Sequence, residues 1–426
     1  MHKKNSHKLA GTAIAILVAT TCAIPANADE VSELKAAVAA LQQRLDQLEA
    51  KSKVTEETND RQSDQIAQTR SSVGSWVSNF TWKGDFRYRN EDIQQDYVRD
   101  RNRDRIRVRA GFVAKVNDTI KTEVGLSTSE LADPRSPNQT LTGENARKSV
   151  YIDVAYAEWQ PVADWKFTFG KMRYPWVRPG QSVFFDGDIN PEGLAVNFGH
   201  GDFYASAFYN LLEERSLASE STMAGGQVGW RPTIGKGRLN IGASLFALNS
   251  VQRRNTFYTL PAGSNGNTTT SVAANCLTAT PCLVNDYDDL EGFVEWTMPV
   301  AGRPLVLYVD YANNIAADTD LDTAYSIGAL YGKASDPRTW EIGYFYQKVE
   351  KDALFGQFID SDWGAGNTDA QGSVIKFGYA FAKNFTLNGW YHFATTNNDV
   401  PVTIPGVGTV YDRDYKRLQL DLNFKY

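Results

Sequence analysis

Short segments in which apolar and polar residues alternate fill the chain from Phe80 to Tyr426. In residues 105–116, for example, the even positions are apolar and four of the odd positions are basic. A period of two is that of a β-strand whose two faces meet different surroundings. We count sixteen such segments, most of about ten residues, which is the length of a tilted strand that crosses a bilayer. They are 80–89, 104–116, 118–129, 149–160, 164–172, 191–199, 202–211, 223–231, 236–248, 288–299, 303–313, 322–333, 337–349, 371–381, 383–394 and 413–426.

The connections between these segments alternate between short and long. Seven are tight turns, and the eight long ones are 90–103, 130–148, 173–190, 212–222, 249–287, 314–321, 350–370 and 395–412. Such alternation is typical of an up-and-down meander with both ends on one side. Because lipid does not tolerate an open sheet edge, the meander must close. The sequence therefore predicts an all-β transmembrane fold, a 16-stranded antiparallel barrel over 80–426. Sixteen consecutive hairpins disfavour the alternative, a soluble sandwich.

Composition removes two other classes of protein. Forty-four Lys and Arg against 50 Asp and Glu give a net charge of −6, which excludes a nucleic-acid partner bound through bulk positive charge. The one long apolar run, Leu9 to Ala26, lies at the N-terminus, which excludes a protein built of several membrane-spanning helices.

The first 28 residues have the three parts of a secretory signal peptide. Three lysines, an apolar stretch from Leu9 and the sequence Ala26-Asn27-Ala28 follow one another, so we expect cleavage after Ala28. An anchoring helix is disfavoured because the apolar stretch is short. Export also predicts a disulfide between the two cysteines of the mature chain, Cys276 and Cys282.

A heptad pattern follows the signal peptide. Its apolar positions are Val31, Leu34, Val38, Leu41, Leu45 and Leu48, and this a/d seam predicts a self-associating coiled coil. An amphipathic helix that lies on the body of the same chain is the alternative. We assign residues 29–70 to a periplasmic coiled coil with a polar extension and residues 71–79 to a linker.

Five stretches carry a resemblance to a known family. They are Gly84–Arg89, Arg101–Arg109, Asp133–Leu141, Gly170–Trp176 and Asp188–Ala195. With the signal and the coiled coil, they resemble the bacterial outer-membrane family of putative porins and, more distantly, the phosphate- and polyphosphate-selective porins. The resemblance implies a homotrimeric water-filled channel in the outer membrane of a Gram-negative bacterium, surrounded by lipid and lipopolysaccharide. The C-terminal Tyr426 is then the signal for the barrel-assembly machinery. Phosphate selectivity is not implied.

The third long loop is the candidate constriction. Sixteen strands leave an aqueous lumen unless a loop folds into it, and two prolines stiffen residues 173–190. We expect this loop to fold inward with Asp186 and Asp188 facing solvent. An ordinary surface loop is the alternative. The charged candidates are Arg173, Arg178, Asp186 and Asp188.

The presumed lumen side of the first three strands is basic. Its cations are Lys83, Arg87, Arg89, Arg105, Arg107, Arg109, Lys115 and Lys121, and its acids are Asp85 and Glu123. Glu291, Glu295, Asp310 and Glu341 are predicted to form an acidic wall opposite. This distribution predicts an electric field across the lumen, since the charges that line the narrowest ring set selectivity. The alternative is that the arginines only solvate a wide wall.

No pattern indicates an enzyme, a cofactor or a metal. The run Asp286–Asp289 lacks the spacing of a calcium loop and is expected to be a solvated rim. The sequence favours a passive diffusion channel for ions and small hydrophilic solutes. The alternative is a structural or adhesive barrel tethered to peptidoglycan through its coiled coil.

Overall fold

The computed structural model describes residues 28–130, 134–141, 143–257 and 263–426. The predicted signal peptide, apart from Ala28, lies outside the described residues. The chain divides into two compact units, Met1–Trp76 and Val77–Tyr426.

The described part of the first unit forms one helix, α1, which spans Ala28–Val77. It continues through most of the predicted linker 71–79. The stretch holds one glycine and no proline, and one interior glycine costs a helix only about 1 kcal/mol. Val38, Leu41, Leu45 and Leu48 of the heptad seam are each about half exposed or more. No described helix is long and apolar enough to span a bilayer.

The second unit consists of sixteen long strands, each antiparallel to the next. Their bounds are β1 Phe80–Gln95, β2 Val98–Lys115, β3 Ile120–Thr128, β4 Val150–Val162, β5 Trp165–Lys171, β6 Glu192–His200, β7 Phe203–Glu213, β8 Ser221–Trp230, β9 Gly237–Asn249, β10 Asp288–Val300, β11 Arg303–Asn314, β12 Thr323–Gly332, β13 Trp340–Val349, β14 Ala370–Ala382, β15 Phe385–Thr396 and β16 Arg413–Lys425. Short strands in the loops and turns are Gln139–Thr140, Thr233–Ile234, Thr269–Thr270, Cys282–Leu283, Val402–Ile404 and Gly408–Val410. Two 3₁₀ turns span Ala273–Asn275 and Gly364–Gly366.

The barrel closes between its first and last strands. β1 pairs with β16 from Asp85 opposite Lys425 to Gln95 opposite Tyr415, and the backbones of Gly84 and Tyr426 exchange hydrogen bonds. Closure satisfies the edge groups that lipid could not. The predicted 16-stranded antiparallel barrel is confirmed.

The first long loop is much shorter than the predicted 90–103. β1 runs to Gln95 and β2 starts at Val98, so that Asp96 and Tyr97 alone form the turn. Glu91 lies opposite Arg103 in this extension, and opposite charges on facing residues stabilise a strand pair. The predicted boundary was wrong because these charged residues were assigned to solvent instead of to each other.

The outward face of the barrel is apolar. Exposed aliphatic residues from many strands cover it, including Leu245, Leu290, Val309, Ile327, Ile342, Ile375 and Leu420. Exposed tryptophans lie near the short turns at Trp82, Trp159, Trp165, Trp230 and Trp296. An apolar band bordered by aromatic residues is the surface of a membrane barrel.

The packed core lies inside the barrel instead of between layers. It is built from loop 3 (residues 172–191), loop 7 (residues 350–369) and part of the segment 250–287, together with the inward faces of the strands that they cover. The buried members from these loops are Met172, Trp176, Val183, Phe184, Phe185, Ile189, Val251, Leu283, Tyr287, Ala353, Leu354, Phe355, Phe358, Ile359 and Trp363.

Candidate channel constriction

Loop 3 folds into the lumen and is anchored by its aromatic residues. The Trp176 ring lies 4.5 Å from Tyr174 of the same loop, 4.5 Å from Phe208 and 5.1 Å from Phe246, measured between centroids. Aromatic pairs at this separation add to the stabilisation that burial provides. Pro175 flanks this tryptophan and restricts the backbone there.

The backbone of loop 3 then crosses the lumen along polar side chains of the wall. The amides of Val177, Gly180 and Val183 donate hydrogen bonds to the side chains of Gln227, Glu295 and Gln347, at 2.8, 2.7 and 3.1 Å. These three acceptors belong to β8, β10 and β13. The loop therefore lies across one half of the barrel wall, and its buried amides are satisfied there.

Loop 7 also folds inward, which the sequence analysis missed. The Asp186 amide donates to the Phe358 carbonyl at 2.7 Å, and the Asp360 amide donates to the Val183 carbonyl at 2.9 Å. Two consecutive apolar groups, Ala353–Phe355 and Phe358–Ile359, occur where an exposed loop was expected. That composition was the signal, because exposed loops do not need to bury such residues.

The basic wall exists, but carboxylates accompany its arginines. Arg87, Arg89 and Arg105 are buried on the inward face. Arg107 pairs with Asp85 at 2.7 Å, and Arg109 pairs with Asp188 of loop 3 at 2.6 Å. Clustered guanidinium groups repel one another unless such anions lie between them.

The lysines of the predicted wall lie apart from the arginines. Lys83 pairs with Glu123 at 2.6 Å and Lys121 with Glu158 at 3.1 Å. Lys115 lies at a short turn and pairs with Asp118 at 2.7 Å. The structure therefore groups the arginines and leaves Lys115 out of the group.

Five residues of the arginine cluster were not predicted. Asp421 and Arg417 come from β16, Glu91 from β1, Arg103 from β2 and Asp362 from loop 7. Arg89 pairs with Asp421 at 2.6 Å, and Arg417 pairs with Glu91 at 2.9 Å. The alternation of β1 and β16 already places Glu91, Arg417 and Asp421 on the inward face, whereas nothing in the sequence pattern placed Asp362.

The two acids of loop 3 do not face solvent as expected. Asp186 is buried, and its carboxylate accepts the backbone N–H groups of Asp188 and Ser361, each at 2.8 Å. Asp188 is turned to the basic wall. The prediction that both face water was wrong because loop 7 covers Asp186 and Arg109 binds Asp188.

The arginines of loop 3 are more accessible than its acids. Arg173 and Arg178 are exposed. Arg173 pairs with Glu123 at 2.8 Å, while Arg178 donates to the Phe185 carbonyl at 2.5 Å and lies 5.2 Å from the centroid of the Tyr174 ring.

The predicted acidic wall is not a single surface facing water. Asp310 and Glu291 are buried, and Glu295 accepts the Gly180 amide, so loop 3 covers this part of the wall. Glu341 pairs with Lys376 at 2.8 Å. The prediction considered the strands alone and did not include the loop that packs on them.

The comparisons with known proteins agree with this architecture. The family model described as "Putative porin" matches residues 94–275 and 248–426. The chain belongs to this porin family. The description of this family is that of porins, which are channel proteins. A search of curated proteins gave no match.

One solved structure shares the fold of this chain at low sequence identity, and two others match it more weakly. Pseudomonas putida OprB, in its high-pH structure, is 11% identical with a TM-score of 0.52, and the match covers 85% of this chain and 97% of that chain. In vitro folded OmpT of Vibrio cholerae, in its trimer form, is 15% identical with a TM-score of 0.46, covering 82% and 99%. A Rhodopseudomonas blastica porin mutant is 10% identical with a TM-score of 0.44, covering 82% and 100%.

The pKa values of three carboxyl groups in this porin's loops 3 and 7 are shifted in opposite directions. Burial, and then the charge of Asp360, raises the pKa of Asp186 well above its usual value. Burial, and then Asp362, raises the pKa of Asp360 to about 6. Burial opposes ionisation of Asp188 as well, but Arg109 and Arg107 outweigh it and lower its pKa. Asp188 is therefore a fixed negative charge, whereas Asp186 and Asp360 are proton-binding groups.

A cavity of about 340 Å³ separates loop 3 from part of the opposite wall. Arg178, Gln181 and Gly187 of loop 3 and Asp360 of loop 7 line one side. Trp390 and His392 of β15 are among the residues on the other side. The cavity is large enough to hold several water molecules beside the infolded loops of the porin.

Loop 5 (residues 250–287) of the porin carries the two cysteines. Cys276 and Cys282 form a disulfide with 5.7 Å between their Cα atoms. Within the part of the chain that the structure describes, no three His, Cys, Asp or Glu side chains are grouped as a metal would require, and this includes the run Asp286–Asp289.

Proposed function

We propose that the protein is a passive diffusion channel for ions and small hydrophilic solutes, with its selectivity set by loop 3 and the arginine wall. The observation that carries this proposal is that loop 3 crosses the lumen and brings Asp188 to 2.6 Å from Arg109. A channel is selective where its lumen is narrowest and charges are close to the passing solute. Planar-bilayer recording of the purified barrel with ions of graded size tests conduction and the width of the constriction.

Replacing Arg107 and Arg109 together by glutamine should shift the channel toward cations. Asp85, Asp153 and Asp188 would lose their partners, since Arg109 also lies 3.5 Å from Asp153. One charge at contact distance in water is worth about 1 kcal/mol, so the permeability ratio of cation to anion should rise by about fivefold for each charge. Reversal potentials in a salt gradient measure this ratio.

Lys115→Gln is the matched control for that shift. It removes one positive charge at a short turn, where Lys115 is exposed and paired with Asp118. Its reversal potential should stay at the wild-type value. An unchanged reversal potential in the double arginine variant would mean that the arginine wall does not line the conducting path.

We also propose a homotrimer in which the α1 helices associate in the periplasm. The exposed seam of α1 supports this, because a helix with a regular a/d stripe buries it against another helix. Replacing Leu41 and Leu45 by glutamate should lower the stability of the oligomer, since a buried leucine contributes about 1.5–3 kcal/mol. Cross-linking of the detergent-solubilised protein at falling concentration measures this. Gln43→Glu with Gln47→Glu, which lie off the seam, is the control, and equal dissociation of both variants would argue against the coiled coil.

Other expected partners of the chain remain predictions. They are lipopolysaccharide around the barrel, the barrel-assembly machinery at Tyr426 and peptidoglycan at α1. A 50-residue helix is about 75 Å long, which is a reach suited to a cell-wall contact. A pull-down with cell-wall fragments tests this second function, which is compatible with conduction.

A further inference from the structure

Asp362 of loop 7 is clamped between two arginines of the barrel wall. Arg89 Nη1 lies 2.9 Å from Asp362 Oδ2, and Arg417 Nη2 lies 2.8 Å from Asp362 Oδ1. The two guanidinium groups therefore bind different oxygens of one carboxylate. Charge-assisted hydrogen bonds of this kind are about twice as strong as those between neutral groups.

Carboxylates of the wall also bind both arginines. Arg89 donates through Nε and Nη2 to the two oxygens of Asp421, at 2.6 and 2.7 Å. Arg417 donates to Glu91 at 2.9 Å, and its Nη1 donates to the carbonyls of Ser361 and Asp362 in loop 7, each at 3.4 Å. The side chains of Arg89 and Arg417 are only 5% and 4% exposed. Because Asp421 and Glu91 belong to the strands, they keep both arginines near the site when the Asp362 carboxylate leaves.

This part of the wall has more arginines than carboxylates. Five arginines share three carboxylates, namely Arg87, Arg89, Arg103, Arg105 and Arg417 with Glu91, Asp362 and Asp421. Arg105 also reaches Glu130, at 3.8 Å. If Asp362 departs, the positive excess grows and the vacated position between Arg89 and Arg417 attracts another anion.

Asp362 is the carboxylate of this group that can be exchanged. Glu91 and Asp421 belong to strands, whereas Asp362 belongs to a loop, and its side chain is 25% exposed. Burial opposes its ionisation, but Arg417 and Arg89 outweigh burial and hold its pKa well below the usual value. It is therefore an anion at every working pH, and a solute carboxylate would replace it without a change in charge.

We propose that Arg89 and Arg417 form a binding site for the carboxylate group of a passing solute, and that Asp362 occupies this site as an internal competitor. The proposal rests on the channel function proposed above and names its solute class, small carboxylates. When a solute carboxylate binds, loop 7 loses two ion pairs to the wall, so occupancy also loosens the loop.

The test is single-channel recording of the full-length protein with acetate as the probe and neutral acetamide as its analogue. In Asp362→Asn, the acetate concentration that gives half of the maximal effect on the chloride current should fall by at least about tenfold. The reason is that the Asp362 carboxylate, as an internal competitor, acts at a millimolar effective concentration or above. Acetamide should have no effect. Asp320→Asn is the control, since Asp320 is another loop acid, is exposed and has no ion pair to any described residue. In the Asp362→Asn background, Arg417→Lys keeps the positive charge but removes the paired N–H donors of the guanidinium group. This second substitution should reverse the increase in acetate affinity.

The outcomes separate this inference from the channel function. If no current flows in any variant, the channel function fails. If Asp362→Asn and Asp320→Asn conduct and respond to acetate equally, the carboxylate site fails alone. If Asp362→Asn does not fold, as judged by heat-modifiable gel mobility, Asp362→Glu replaces it. The longer glutamate side chain moves the carboxylate out of its position between Arg89 and Arg417, so acetate affinity should also increase in this variant. An unchanged affinity in that variant counts equally against the site.

Discussion

Valine in place of Gly180 should detach loop 3 from the barrel wall and raise the conductance of the channel. Gly180 has φ of +51°, and a Cβ atom there would lie 2.2 Å from Cδ1 of Tyr308. Tyr308 cannot move aside because it is buried and its hydroxyl group is hydrogen-bonded to the Ser326 hydroxyl group at 2.9 Å. Backbone strain and overpacking together cost about 2–6 kcal/mol. The loop can avoid this cost by leaving the wall, which single-channel recording would detect as a larger unitary current.

Gly235→Val separates the contact from the backbone strain. Gly235 has φ of +60°, and a Cβ atom there has no heavy atom within 4 Å. Both valine variants therefore carry a similar backbone penalty, but only the one at Gly180 collides with the wall. Conductance should increase for Gly180→Val alone. A folded Gly180→Val barrel with wild-type conductance would show that loop 3 does not limit the current.

The barrel could be predicted from the sequence because strand alternation is a local signal. On β2, the inward position of Arg105 and the outward position of Val108 follow directly from the period of two. The error at 90–103 arose where both faces of a hairpin are charged, as at Glu91 and Arg103, so that strand and loop look alike. The sequence did not indicate that α1 continues into 71–77, since a helix near Gly74 differs from a linker by little free energy.

The constriction could be predicted only in part because its contacts join distant segments. The inward fold of loop 3 was expected from its prolines and its position, but its partners were not. Asp186 meets Ser361 across 175 residues, and Arg89 meets Asp362 across 273. No period or spacing encodes such contacts. The apolar residues of loop 7, such as Phe355 and Ile359, indicated burial but not the surface that buries them.

Acid should strengthen the contact between loops 3 and 7 and lower the conductance. Asp360 has a pKa of about 6 in the docked loops, against an ordinary value of about 4. Below pH 4, Asp360 is protonated whether or not loops 3 and 7 are in contact, which we call docked. Docking then has no free-energy cost from protonation of Asp360. Between pH 4 and 6, the Asp360 carboxyl group ionises when the two loops are apart but stays protonated when they are in contact. The free energy that favours the contact therefore falls by roughly 1–3 kcal/mol over this range. Asp186, whose pKa is also raised, extends this loss to higher pH.

Asp188, Asp362 and Arg417 do not reverse this sign. Asp188 and Asp362 have lowered pKa values, so their contribution changes only in stronger acid, and Arg417 stays charged throughout. Conductance should therefore increase between pH 4.5 and 7.5. Asp360→Asn, a permanent analogue of the protonated acid, should hold the low value across this range, while Asp320→Asn should follow the wild type. A wild-type conductance that falls as pH rises would contradict the assignment of Asp360 and Asp186 as the groups that control docking.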